Sequence, residues 1–208
     1  YKDDGLKVVL EYENGLYRSA TTRGNGRIGE DVTAQVKTIR SVPLKISFTG
    51  RLIVQGECMM TNKAFEEYNK TADIPLKNPR NGVAGAVRNL DPKETERRKL
   101  DFFCYDVTFA ENLSLTSQKQ MHEFILSQGF KTGNFYKDIK TIEEARSEIM
   151  KIDKIKDDLD VMIDGMVIKV EDCAVRDEIG YTNKFPKWAM AYKFKPVELS
   201  TTLKDVVW

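Results

Sequence analysis

The sequence predicts an α+β fold in which antiparallel strands dominate and helices pack on the outside. Two observations predict it. The chain opens on a hairpin with explicit turn chemistry: an alternating run, Leu6-Lys7-Val8-Val9-Leu10-Glu11-Tyr12, then Glu13-Asn14-Gly15, then a second run from Leu16 to Thr22. Alternation at period two is the mark of a half-buried strand, and Asn-Gly accepts the positive φ values of a type I′ turn. Further strand-like runs then recur at residues 51–58, 100–107, 164–170 and 187–195, with helical segments between them.

Taken in order, residues 29–39 read as a short helix, and 42–46 as an extended piece whose Pro43 confines it to an edge. Arg51 to Cys58 is a full strand ending in Gln55-Gly56-Glu57, which puts a carboxylate at a strand terminus. Thr61 is an N-cap for a helix with Phe65 and Tyr68 on its face. Asn78 to Gly82 reads as a flexible turn leading into a small-residue helix over 83–88, so that Arg80 and Arg88 would both reach one anion. Leu100 to Val107 is an aromatic strand. Helices follow at 116–128, with Met121, Phe124, Ile125 and Leu126 as the apolar face, and at 142–152; Gly129-Phe130 and Phe135-Tyr136 suggest a strand or turn between them. Asp164 to Val170 reads as a buried strand carrying Lys169, residues 173–179 as a helical turn, and 187–195 as extended with Lys193 among apolar neighbours. The closing stretch, 201–208, is β-like.

The composition, 41% apolar and 31% charged, is that of an ordinary globular chain, and 208 residues suffice for one or two domains with a sizeable core. No apolar run approaches bilayer length and no signal peptide opens the sequence, so no membrane association and a cytoplasmic setting are expected. Cys58, Cys104 and Cys173 are odd in number and lack metal-ligand spacing, which reads as free thiols in a reducing compartment. His122 is the only histidine, so His-rich metal sites are excluded and acid–base or nucleophilic chemistry falls mainly to Lys, Asp, Glu, Ser, Thr, Tyr or Cys.

Net charge is +1, yet the charge is patchy. Residues 77–99 hold seven basic side chains against three acidic ones, and residues 184–195 hold Lys184, Lys187, Lys193 and Lys195 with aromatics interleaved and no acid. Such stripes on a neutral chain suit phosphate contacts at one face, or a plain solvated surface. A second pattern is sharper. Lys2 opens a strand, Glu57 ends one, Lys169 sits near the end of one and Lys193 within one. Taken singly, each lysine reads as a side chain snorkelling to a strand edge. Taken with Arg23, Arg80 and Arg88, they describe a cationic cleft, since buried ammonium groups are usually paired or bound to an anion.

These residues lie in motifs that resemble the adenylation domain of NAD+-dependent DNA ligases, within the covalent nucleotidyltransferase superfamily. Lys2-Asp3-Asp4-Gly5 is similar to the K-x-D-G nucleophile motif, and Arg23-Gly24-Asn25-Gly26 with Gly29-Glu30-Asp31-Val32-Thr33 to the A-T-R-G-D-G and G-E-D-V-T segment. Gly56-Glu57 resembles the end of an R-G-E motif. Asn78-Pro79-Arg80-Asn81, followed by Ala84-Gly85, Arg88 and Leu90-Asp91-Pro92, resembles the most specific block of the family. Phe102 to Tyr105, Asp164 to Val170 and Trp188 to Phe194 complete the set in order. The sequence departs from the pattern at Asn25, Gln55, Gly82-Val83, Lys156 and Lys187; at the last two a lysine stands where arginine is common, keeping the charge but losing the planar fork.

The resemblance implies a covalent nucleotidyltransferase (ATP-grasp-like) fold of antiparallel sheets flanked by helices over residues 1–200, with 201–208 beginning the connection to an OB-fold domain. It implies three steps: Lys2 takes AMP from NAD+, AMP passes to the 5′-phosphate at a nick, and the 3′-hydroxyl displaces it. Lys2, Asp4, Lys169 and Lys193 would be catalytic, with the two other lysines lowering the Lys2 pKa. Lys2, Arg23, Glu57, Tyr105, Lys169 and Lys193 would bind the nucleotide, Glu57 at the ribose and the Tyr105 ring on adenine. Arg80, Arg88, Lys156 and Lys187 would contact DNA or phosphate, and Mg2+ would sit near Asp4, Glu57 and the phosphates. The expected partners are nicked double-stranded DNA and NAD+ or AMP, with the chain a monomer in a bacterial or viral-type cytoplasm at the nucleoid. The nicotinamide-recognising segment before Lys2 and the family's zinc and helix-hairpin-helix modules are expected to lie outside this sequence. Two alternatives stay open: an ATP-dependent ligase or capping-type nucleotidyltransferase, and a non-catalytic remnant that binds nicked DNA.

Overall fold

A computed structural model gives the architecture, and it describes all residues except 25–27, 134–135, 183–184, 196–201, 203 and 206–208. The α+β expectation holds: two antiparallel sheets with helices against them. The larger has the order β3-β2-β4-β5, formed by β2 (Leu6–Glu13), β3 (Leu16–Thr22), β4 (Leu52–Met59) and β5 (Asp101–Ala110). The smaller has the order β1-β6-β7, formed by β1 (Lys2–Asp3), β6 (Ile163–Lys169) and β7 (Ala189–Lys193).

The opening hairpin closes as its sequence dictates, with Asn14 at φ 52° and Gly15 at φ 76°. Alternation then divides the large sheet into two faces. Val8, Leu10 and Tyr12 of β2, Val54 and Cys58 of β4, and Phe102 and Cys104 of β5 are buried. They pack with Val36 of α1 (Thr33–Val36), Val83, Ala86 and Val87 of α3 (Pro79–Val87), Ile125 of α5 (Gln118–Ser127), and Phe130. At about 1.5–3 kcal/mol for each fully buried large side chain, this face is the main driving force of the fold. The other face carries Lys7, Val9, Glu11, Gln55, Glu57, Phe103 and Tyr105, all half-buried, and the small sheet covers part of it. A second, smaller core lies behind the small sheet, where Met166 and Phe194 meet Ile149 and Ile152 of α6 (Ile142–Ile155).

Several expectations are corrected. The helix expected over 29–39 shrinks to α1, because the backbone before it pairs back onto β3 instead: Thr22 N–H donates to Glu30 O at 3.0 Å and Val32 N–H to Ala20 O at 2.9 Å. Residues 42–46 form no strand, only a bridge from Lys45 to Leu16. The stretch from Asn78 to Gly82 is not a flexible turn but the start of α3. Asn78 caps it by accepting from Asn81 N–H at 2.8 Å, and Pro79, which needs no amide partner, takes the first turn. Leu126 is exposed rather than part of the apolar face of α5, and Phe130 takes that place in the core. In β6 only Gly165 and Met166 are buried, and Met190 and Tyr192 of β7 are exposed, since the small sheet has one modest core on one face.

Thr61 caps α2 (Asn62–Asn69) as expected, and the strands at 51–58 and 100–107 fall within a residue or three of their predicted bounds. The helix expected over 142–152 extends to Ile155, a 3-10 turn (Lys156–Asp158) follows it, and the helical turn at 173–179 is α7 (Cys173–Ile179). Of the segment between α5 and α6, Lys131 bridges to Phe103, while Phe135 lies outside the described residues. Of the β-like stretch at 201–208, all but Thr202, Lys204 and Asp205 lie outside them as well. Among the described residues, no helix is long and apolar enough to cross a membrane.

Asn78→Ala is expected to lower stability by about 1 kcal/mol and Asn78→Asp to retain most of it, because only the former removes the cap acceptor. Urea unfolding midpoints of the two variants measure the difference.

Candidate active site

The two sheets meet at Lys2. β1 pairs with β6, Lys2 opposite Gly165, and β6 pairs with β7, Gly165 opposite Lys193, so these three positions form one row. The Lys2 ammonium donates to Asp164 Oδ1 at 2.6 Å, and the Lys193 ammonium stands 3.5 Å from the other carboxylate oxygen. A side chain at Gly165 would strike the Tyr192 carbonyl, so the row closes only around a glycine. Two residues after β1 the chain enters the large sheet at Gly5. A Cβ there would collide with the Cys58 carbonyl and lie 3.0 Å from Glu57 Cγ. The glycine of Lys2-Asp3-Asp4-Gly5 is thus needed for close approach rather than for a sharp turn, and its N–H supports the Glu57 carboxylate.

Glu57 lies on the cleft face of β4, opposite Lys7 of β2. Burial, with Asp3 as the next cause, pushes its carboxyl up to about 7, against the pull of the Gly5 N–H, Lys2 and Lys7. Burial likewise raises Asp3 to about 6. Tyr105 stands where β5 bulges: Gly56 pairs with Cys104 and Gln55 with Asp106, so Tyr105 has no cross-strand partner and its ring is re-aimed. Lys169, at the end of β6, donates to the Tyr105 carbonyl at 3.3 Å with its ammonium 5.5 Å from the ring centroid. Burial lowers the Lys169 pKa, Asp106 opposing it. Beside this contact opens a cavity of about 460 Å³ lined by Tyr105, Val167, Lys169, Asp3, His122 and Tyr136. That volume falls within the usual range for small-molecule sites.

The structure therefore brings together Lys2, Glu57, Tyr105 and Lys169, with Lys193 joined through Asp164. Asp4 is at the rim, paired with Arg80 of α3 at 2.7 Å. Arg23 follows β3 directly and lies near Lys7. The other basic residues are not drawn in. Arg88 pairs with Glu30 at 3.0 Å, and with both arginines on or capping α3, eight residues put them about 12 Å apart along the axis. The expectation that both reach one anion from a flexible turn is thereby corrected. Lys156 pairs with Asp153 at 2.7 Å with its ammonium 4.9 Å from the Phe194 ring centroid, and Lys187 lies in the exposed segment before β7. Lys193 is also corrected: its side chain is 69% exposed rather than set among apolar neighbours.

Sequence reasoning missed Asp164, the counter-ion of Lys2, and so expected only cations around that ammonium. The signal was there, a carboxylate immediately before the strand glycine. It also passed over Asp3, Lys7 and Asp106, the last held by Gln55 Nε2 at 2.7 Å. That bond gives Gln55 a local role.

The site is a lysine-centred seam between two antiparallel sheets, with half-buried carboxylates beside it and an aromatic-walled cavity at Tyr105 and Lys169. The chain belongs to the NAD-dependent DNA ligase adenylation domain family, whose profile matches residues 1–197. It is 51% identical over all 208 residues to a DNA ligase of Clostridium botulinum (strain 657 / Type Ba4), and equally to one of strain Okra / Type B1. To a DNA ligase of Alkaliphilus metalliredigens (strain QYMF) it is 46% identical over the same span. The chain covers 31% to 32% of the length of these relatives.

A carboxyl whose folded pKa lies above its unfolded one keeps a proton that the unfolded chain has released. The Glu57 contribution to stability is therefore lost as pH rises from about 4.5 through about 7. Glu57→Gln removes that titration, so between pH 5 and 8 the variant is expected to lose less stability than the parent, by on the order of 2 kcal/mol. Denaturant midpoints across that range test it.

Proposed function

We propose that this chain is the adenylation unit of an NAD+-dependent DNA ligase, built on the covalent nucleotidyltransferase (ATP-grasp-like) fold. Residues 1–200 form the unit and 201–208 lead toward an OB-fold domain; the family match over residues 1–197 supports that division. The observation that carries the proposal is the Lys2–Asp164 pair at 2.6 Å, at the seam where β1 and β7 flank β6. Lys2 Nζ attacks the α-phosphorus of NAD+; the new N–P bond forms as the P–O bond to nicotinamide mononucleotide breaks. The amine must shed its protons for this, and Asp164, already accepting from Nζ, is the group placed to take one.

The other roles follow from position. The Tyr105 ring offers adenine a stacking face at the cavity wall, Glu57 accepts from a ribose hydroxyl, and Lys169, Lys193 and Arg23 offset charge on the phosphates. Asp4 holds Arg80 at the rim and orients the turn that carries Lys2. Mg2+ suits this set of oxygens: no group of three or more acidic or metal-ligating side chains stands ready among the described residues, and Mg2+ is commonly held by one or two carboxylates with phosphate oxygens and water. Asp4 and Glu57 are the carboxylates that would serve, and the ion would supply charge neutralisation at the transferring phosphate.

In the later steps AMP passes from Lys2 to the 5′-phosphate at a nick and the 3′-hydroxyl displaces it. Arg80, Arg88, Lys156 and Lys187 face the DNA backbone. The protein acts as a monomer in the cytoplasm, at the nucleoid; one chain supplies every group named.

Incubation of the whole protein with NAD+ is expected to add one AMP to Lys2, read as an intact-mass shift and mapped by peptide analysis. Lys2→Ala takes none, and Asp164→Asn slows the step by on the order of 100-fold. Labelling from ATP but not from NAD+ would exclude the proposed donor.

A further inference from the structure

The cleft floor holds a lysine that the adenylation chemistry leaves without a task. Lys7 lies on β2 between the buried Val8 and the half-buried Leu6, and alternation turns it away from the core, to the same face as Val9 and Glu11. The register fixes its neighbours. β2 pairs with β4 so that Lys7 stands opposite Glu57, and with β3 so that Val8 stands opposite Thr22, which brings Arg23 alongside Lys7 at the end of the hairpin. Arg23, Lys7 and Glu57 thus form a row across the sheet, and Lys2 reaches the same carboxylate from the other sheet: both lysines pull the Glu57 pKa downward.

The state of the Lys7 ammonium is the informative part. Lys2 has Asp164, Lys169 has the Tyr105 carbonyl, and Asp106 is bonded to Gln55. Among the described residues, Lys7 makes no side-chain hydrogen bond and no ion pair. Lys7 is half-buried, with Arg23 on one side and the Glu57 and Asp106 carboxylates as its other charged neighbours, neither carboxylate within ion-pair distance, so this is not an ammonium extended into bulk water on a buried stem. A half-buried ammonium with a second cation alongside and carboxylates only at a distance gains a direct partner when an anion arrives.

We propose that Lys7 is a substrate-contacting residue of this cleft, donating to a phosphate of the dinucleotide next to the ribose held by Glu57. The inference deepens the adenylation reading and rests on it. Lys7 would bind NAD+ by the same contact before and during transfer, which affects affinity more than the rate of the bound complex. It is distinct from Lys2, which forms the covalent bond, and from Lys169 and Lys193, which approach from the smaller sheet.

The test uses the whole protein, with NAD+ as the probe. In single-turnover adenylation, Lys7→Met is expected to raise the NAD+ concentration for half-maximal labelling by about 10-fold or more, with the maximal rate changed by less than about 3-fold, and Lys7→Arg to restore most of the affinity. Without nucleotide, the thermal midpoint of Lys7→Met should equal or exceed the parent's, because an unpaired ammonium has been removed. An unchanged NAD+ dependence overturns the inference while leaving Lys2 adenylation standing. A lowered midpoint, or a Met variant that does not fold, identifies a structural lysine and also overturns it. If the parent itself takes no AMP on Lys2, the reading beneath the inference has failed and the role of Lys7 goes with it.

Discussion

The pairing of Lys2 with Asp164 is the constraint on which the arrangement of the site depends. β1 is two residues long, and its place is fixed by β6 alone. Asp4 N–H donates to the Met162 carbonyl at 3.0 Å, closing the pairing, and the chain then crosses at Gly5 into the large sheet. The lysine therefore sits at the point where one strand of each sheet is covalently continuous with the other. A short strand with few bonds is a weak anchor, and the 2.6 Å charge pair reinforces it. Its carboxylate also meets Lys193, so the positions of β1, β6 and β7 are coupled through one side chain. Both members are about a quarter exposed, which limits the desolvation cost and leaves the ammonium open to a ligand.

Around this pair the same physical cause acts on both signs of charge. Burial raises the carboxyls of Glu57 and Asp3 and lowers the ammonium groups of Lys169 and Lys7. In each case burial disfavours the charged form. A phosphate-bearing ligand changes that balance: it favours the ammonium forms directly, and an accompanying cation favours the carboxylates. Glu57 and Asp3, pushed up to about 7 and about 6, are the groups whose protonation a nearby charge would change most readily.

Much of this was legible in the sequence, and the exceptions have physical reasons. The hairpin was readable because Asn14-Gly15 specifies its own dihedral angles, and Thr61 because a hydroxyl before a helix has one obvious use. Lys2, Glu57 and Lys169 stood out because charged groups in apolar strands are costly enough to need a partner, whereas Tyr105 entered only through the family resemblance. What escaped was pairing across distance. Asp164 lies 162 residues from Lys2, and nothing local says that β1 and β6 are neighbours. The bulge at Tyr105 and the row from Arg23 through Lys7 to Glu57 follow from register, which strand propensity does not carry. Lys193 was misplaced for a related reason: apolar neighbours in sequence suggest burial, but β7 is an edge strand of a small sheet and has little to be buried against.

The basic residues on and around α3 bear on how such a domain would meet a nucleic acid. The local rules that begin the helix, an Asn78 cap and Pro79 in the first turn, also direct Arg80 to Asp4, two residues beyond Lys2. Arg88 at the far end is directed to Glu30, in the segment that returns to β3 behind Arg23. Both guanidinium groups are more than half exposed, and ion pairs in that setting contribute little to stability. That holds for Arg88 with the exposed Glu30, whereas Asp4 is only 18% exposed, so its pair with Arg80 is the more costly of the two to exchange. Asp4 thus joins the basic helix to the seam through a single side chain, two residues from Lys2.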